Sequence, residues 1–145
     1  MSLYTLNSTN RRQIADLLSE GKWVVACLCA AWCDVCRQYR AGFEALAAQH
    51  PDKHFIWIDI EDEAEVVGDF DVENFPTLLI QGADTVAFFG TVVPDARQAN
   101  RLLLAHAGKN ASELLSEANS SPEKKKWQIE YNLKRHLLAA MDHQD

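Results

Sequence analysis

The sequence predicts an α/β fold, a mixed sheet covered by helices on both faces, and three observations lead there. Residues 23–29 run apolar without alternation, as a strand buried on both faces does. Helical and strand-like patterns then alternate as far as the acidic stretch at 61–69. Beyond it, two short apolar runs at 77–81 and 86–89 are separated only by Gly82-Ala83-Asp84, which reads as a hairpin with a Gly-containing turn. Alternating elements first and adjacent strands later require parallel and antiparallel neighbours in one sheet.

Taken in order, Thr9 or Asn10 caps a first helix carrying Ile14, Leu17 and Leu18 at helical spacing, with Gly21 as its stop. After the 23–29 strand comes a helix over 33–50. Its Cys36, Tyr39, Arg40, Phe43 and Leu46 share one face, and Pro51 forbids continuation. A strand at 55–59 leads into the short acidic helix. Past the hairpin, Pro94-Asp95 opens a helix that ends at Gly108. Residues 1–108 form the main domain, and residues 109–145 form a C-terminal helical extension. Ser121-Pro122 starts an amphipathic helix there, with Trp127, Tyr131, Lys134, Leu138 and Met141 at helical spacing and Leu137 alongside. Its apolar stripe is expected to dock on its own domain. The alternative is a dimer or partner contact through residues 121–142.

At 145 residues, with 48% hydrophobic and 24% charged, the chain can build a core and is not of the disordered type. Net charge is −7 and basic residues are scattered except at Lys124-Lys125-Lys126, so no nucleic-acid surface is expected. The longest apolar run, 23–33, is about half of what a membrane span needs, so no membrane partner is expected. The polar N-terminus lacks a secretory layout, which makes the cytoplasm the default location. In that compartment four cysteines read as thiols, a redox pair or metal ligands rather than structural staples.

The most informative motif is Trp32-Cys33-Asp34-Val35-Cys36, set between the buried strand and a helix. A thiol at a helix start lies among free backbone N–H groups that favour its thiolate. A thiolate attacks disulfides, and a second thiol three residues on resolves the mixed disulfide. The same spacing is half of many zinc sites, and Cys27, Cys29, Cys33 and Cys36 supply enough sulfurs for one. An extended strand with no Gly-rich knuckle is a poor zinc frame, so no metal is expected. Cys27 and Cys29 share one strand face. The preferred reading is that they fill the core as small apolar thiols; the functional alternative makes Cys29 an auxiliary thiol that exchanges with the main pair.

In Trp32-Cys33-x-x-Cys36 after a buried strand, Phe75-Pro76-Thr77 about forty residues on, and Gly90 after the hairpin, the stretch from about 6 to 108 resembles the thioredoxins. The resemblance implies a four- or five-stranded mixed sheet and a cis bond before Pro76 lying against the dithiol. It also implies that Trp32, Phe75, Pro76 and Thr77 receive an extended substrate segment. The departures are as informative. Thioredoxins carry Gly-Pro where this chain has Asp34-Val35, which adds a negative charge beside the thiol and removes a rigid residue, so both are expected to tune the redox chemistry. The family's buried Asp is replaced by Cys27, its Lys partner by Trp57, and an aromatic residue near the dithiol by Cys29.

The expected activity is therefore that of a thiol–disulfide oxidoreductase. Cys33 attacks a protein disulfide, Cys36 resolves the intermediate, and the Cys33–Cys36 disulfide forms. No cofactor is required, and electrons come from a thiol reductase or another donor. The competing expectation is a thioredoxin-like chaperone or assembly adaptor that works by binding.

Overall fold

The computed structural model describes residues 3–142. Five strands form one sheet in the order β1-β3-β2-β4-β5: β1 (Leu3–Thr5), β2 (Trp23–Cys29), β3 (His54–Asp59), β4 (Thr77–Gly82) and β5 (Thr85–Thr91). The first three are parallel neighbours, while β2–β4 and β4–β5 are antiparallel. The sheet is thus mixed, as the order of sequence patterns requires. The edge strand β1 was not foreseen, because three residues give no readable periodicity.

The chain's helices are α1 (Arg11–Ser19), α2 (Asp34–Gln49), α3 (Ala64–Val67), α4 (Ala96–Ala107), α5 (Ala111–Ala118), α6 (Pro122–Glu130) and α7 (Leu133–Asp142). The central strand β2 is buried on both sides and divides the core. Val24, Ala26 and Leu28 point to one face, where α1, α3, α6 and α7 supply Ile14, Leu18, Val66, Trp127, Leu133 and Leu137. Val25, Cys27 and Cys29 point to the other, where α2 and α4 supply Cys36, Tyr39, Phe43 and Leu103. Period-2 alternation of side chains along a strand causes this division.

Two local predictions need correction. The hairpin is tighter than expected: β4 and β5 leave only Ala83 and Asp84 between them, and Ala83, not a glycine, takes the positive φ of 54°. Gly82 serves another purpose, since a Cβ there would come within 3.0 Å of the Trp23 ring. The C-terminal extension contains three helices rather than the single one read from its apolar stripe. Asn110 caps α5 in a reciprocal capping box with Glu113, and Ser121 caps α6 with Pro122 in its first turn.

The break between α6 and α7 is made by Asn132, which is fully buried. Its amide donates to the Asp84 carbonyl and accepts from Gln81 Nε2, while Gln81 Oε1 accepts from the Leu133 N–H at 2.8 Å. These partners meet the polar demand of the interrupted helix, which is why the break is tolerated in the interior. The stripe turns inward, so Trp127, Tyr131, Leu133 and Leu137 belong to the same buried cluster as β2. Tyr131 stacks on Phe89 with ring centroids 3.7 Å apart. Residues 143–145 of the extension lie outside the described residues.

Candidate active site

The site lies where β2 ends and α2 begins. Cys33 is the N-cap of α2, with extended backbone (φ −88°, ψ 116°), and its carbonyl accepts the Arg37 N–H. No side-chain capping bond uses its sulfur, and the residue is half-buried. Cys36 lies one turn further in and is buried against β2. The loop between strand and helix is fixed by Asp59 at the end of β3. One of its carboxylate oxygens accepts the Ala31 N–H at 2.9 Å, and the other accepts the N–H groups of Glu61 and Asp62. Asp59 was not singled out from the sequence; its signal was an Asp at a strand end, a residue type that forms Asx turns.

The predicted substrate-contacting residues gather in part. The Phe75–Pro76 bond is cis. The edge of the exposed Trp32 ring meets Phe75 with centroids 5.7 Å apart, and the indole N–H donates to the Glu61 carboxylate. Pro76 is buried, its carbonyl accepting the Val92 N–H. Thr77 is turned away into the start of β4, paired with Leu28, and its hydroxyl donates to the Asn74 carbonyl. One further step along that antiparallel register sets Pro76 opposite Cys29. Asp34 and Val35 both face solvent. Asp34 does not stand alone: its carboxylate pairs with the Arg37 guanidinium, which also donates to the Ala31 carbonyl at 2.6 Å. Arg37 therefore offsets the charge that Asp34 introduces.

The largest correction concerns the sulfurs. The sequence pairs Cys33 with Cys36; the structure joins Cys36 to Cys29 and leaves Cys33 and Cys27 as thiols. The physical reason is the packing of α2 on β2. Cys36 is on the helix face turned to the sheet, and its Cα lies 5.8 Å from that of Cys29, inside the span a disulfide bridges. Cys29 is thus more than core filling. Cys27 lies deeper, its sulfur 3.7 Å from that of Cys29. Burial pushes the Cys27 thiol far above its ordinary range, against a smaller opposing effect of the Arg40 charge.

Cys27 and Trp57, the two replacements for the family's buried pair, lie opposite each other in the β2–β3 register. Arg40 stacks on Trp57 with its guanidinium carbon 4.9 Å from the ring centroid. A cation is therefore still present near this position, supplied from α2 rather than from the neighbouring strand. Its only sequence signal was a place on the inner face of α2. A cleft bounded by Ala30, Arg37, Arg40 and Trp57 opens beside Cys36. Among the described residues no group of three or more His, Cys, Asp or Glu side chains is arranged to hold a metal ion, and no helix is long and apolar enough to cross a membrane.

This architecture, a mixed five-stranded sheet with two cysteines at the β2–α2 junction and a cis proline loop beside it, defines a class of thiol-dependent proteins. The thioredoxin family model matches residues 4–103, and the chain belongs to the thioredoxin family. It is 30% identical over 71 residues to a thioredoxin of Mycoplasmoides gallisepticum, covering 49% of this chain and 71% of the relative. To an H-type thioredoxin of Oryza sativa subsp. indica it is 28% identical over 102 residues, covering 69% and 81%. It spans about half, 47%, of thioredoxin H5 of Oryza sativa subsp. japonica, at 33% identity over 44% of this chain. Among solved structures, a poplar thioredoxin h superposes with a TM-score of 0.66 at 17% identity, covering 76% of this chain and all of that one. Family and fold together support thiol–disulfide oxidoreductase chemistry at the level of the family.

Proposed function

We propose that this protein is a thiol–disulfide oxidoreductase acting on protein disulfides through Cys33 and Cys36. The observation that carries the reading is the placement of Cys33: a half-buried thiol at the N-cap of α2, with no capping duty. Its sulfur is where a substrate disulfide can reach it, whereas Cys36, one turn further in, is buried. Cys33 attacks one sulfur of the substrate disulfide, and the other leaves as a thiol. Cys36 then attacks Cys33, releasing the second substrate thiol and closing the Cys33–Cys36 disulfide. Trp32 and Phe75 form an aromatic edge against which an extended substrate segment rests, beside Pro76. We place the protein in the cytoplasm, with a thiol reductase or another electron donor returning the electrons.

Turnover of insulin disulfides with dithiothreitol tests this directly. Cys33→Ser should reduce the rate to the uncatalysed background, and Cys36→Ser should accumulate mixed disulfides through Cys33. The rival reading, a binding module without turnover, is favoured by the engagement of Cys36 with Cys29, which leaves Cys33 without its neighbour. Under that reading the wild type does not exceed background and Cys33→Ser changes nothing.

A further inference from the structure

We propose that Cys29 is a third redox thiol, and that a disulfide moves between an outer Cys33–Cys36 pair and an inner Cys29–Cys36 pair. The proposal deepens the reading of Cys33 and Cys36 given above and rests on it. Cys36 is the shared member. Three residues before it stands Cys33, the N-cap of α2. Across the junction stands Cys29, the last residue of β2 and already bonded to it. The two partners differ in access, since Cys29 and Cys36 are each only 1% exposed whereas Cys33 is half-buried.

The step balances without an outside reagent. The Cys29 thiolate attacks the Cys36 sulfur of a Cys33–Cys36 disulfide. The Cys33–Cys36 bond breaks, the Cys29–Cys36 bond forms, and Cys33 leaves as a thiolate. One proton is lost from Cys29 and one is gained by Cys33, and no electrons are transferred overall. Run backwards, Cys33 attacks Cys36 and Cys29 is the leaving group. Cys27 assists that direction. Its sulfur is 3.7 Å from Cys29, and burial keeps its own thiol protonated, so it donates a weak S–H hydrogen bond to the departing Cys29. Cys29 rather than Cys27 is the exchanging thiol because it is the one whose Cα lies 5.8 Å from that of Cys36, within disulfide reach.

The consequence is an oxidised protein that still presents a thiol. With the disulfide held at Cys29–Cys36, thiols in solution reach it only through Cys33, so Cys33 controls both storage and release.

The experiment uses the full wild-type chain, reduced and then mixed with excess insulin without dithiothreitol. Insulin can enter only through Cys33, so an inner disulfide must then arise by exchange. The folded protein is treated with N-ethylmaleimide, then denatured and treated with iodoacetamide. Residues 23–37 form one tryptic peptide carrying all four cysteines, so cleavage before Asp34 and fragmentation locate each label. Expected is a single maleimide at Cys33 in the oxidised protein, with Cys29 and Cys36 linked. Cys29→Ala, oxidised the same way, should lose that label entirely. A wild type linked through Cys33–Cys36, with no maleimide taken up in the folded state, overturns the proposal while leaving the reading beneath it intact. A Cys33→Ser protein that insulin oxidises as readily as wild type overturns both.

Discussion

On one face of the sheet, Ile14, Leu18, Leu28, Ile56 and Leu79 meet Leu133 and Leu137 from the C-terminal helices, all of them fully buried. On the other, α2 and α4 lie over Val25, Cys27, Cys29, Leu78 and Ile80, and α2 contributes Cys36 and Tyr39, whose buried hydroxyl has no hydrogen-bond partner among the described residues. The first face is built mainly of large aliphatic side chains with Tyr131 stacked on Phe89. The second combines an aromatic cluster of Phe43, Phe55 and Trp57 with the small sulfur side chains. The difference teaches that β2 divides two kinds of work. The C-terminal helices α6 and α7 pack on the face without cysteines, and the sulfurs lie on the face covered by α2 and α4.

The strongest way to break that contrast is to remove the C-terminal helices. Truncation after Gly108 strips Trp127, Tyr131, Leu133 and Leu137 from the first face, each buried. At about 1.5–3 kcal/mol per large side chain, the loss is on the order of 6–12 kcal/mol, comparable to the whole stability of a small domain. The expected outcome is loss of the cooperative thermal transition seen by near-ultraviolet circular dichroism. A truncated chain that melts as a folded domain close to the full-length temperature would show that the redox half stands alone.

A finer change tests the joint between the two C-terminal helices. Asn132→Ala removes three amide contacts, those with Gln81 Nε2, the Asp84 carbonyl and the Arg135 N–H. Gln81 Nε2 keeps the Ala83 carbonyl, so the loss comes from the Asp84 carbonyl and the uncapped start of α7, and urea denaturation should show about 2–5 kcal/mol with no change in cysteine labelling. An unchanged midpoint would mean that water replaces the amide.

This joint also marks where the sequence stopped being legible. The apolar stripe through Trp127, Tyr131 and Leu138 correctly signalled a buried helical surface. Helical spacing says nothing about a break, however, because the reason for it, Gln81, lies on β4 some fifty positions away. The sheet was readable because β2 is buried on both faces and the hairpin is local. The site was readable at Trp32, Cys33 and Cys36, which local spacing and context expose. The Cys29–Cys36 link was not, since strand and helix must pack before those Cα atoms approach to 5.8 Å. Asp59, Arg37 and Arg40 were missed for the same reason: each acts on a neighbour brought close only by the fold.

The smallest effect expected at neutral pH separates packing from chemistry within the redox face itself. Cys27 is fully buried, and burial raises its thiol well above the ordinary value. Cys27→Ala removes one sulfur from the core, at a cost of about 1 kcal/mol near pH 7. The sign changes in alkali. In the unfolded chain this thiol ionises near its ordinary pKa of about 8.5, whereas in the folded chain it keeps its proton to higher pH. Between those two values the unfolded state binds fewer protons, so wild-type stability falls as pH rises, by up to about 1.4 kcal/mol per pH unit for this one group. Alanine has no such loss. Measured on reduced protein, where Cys29 and Cys36 contribute alike to both variants, the gap between wild type and Cys27→Ala should therefore narrow from pH 8.5 upward and close before pH 10, below the range where tyrosines ionise. A gap that stays constant over that range would mean that Cys27 ionises as readily in the folded state as in the unfolded one, and Cys27 would then be available for exchange alongside Cys29.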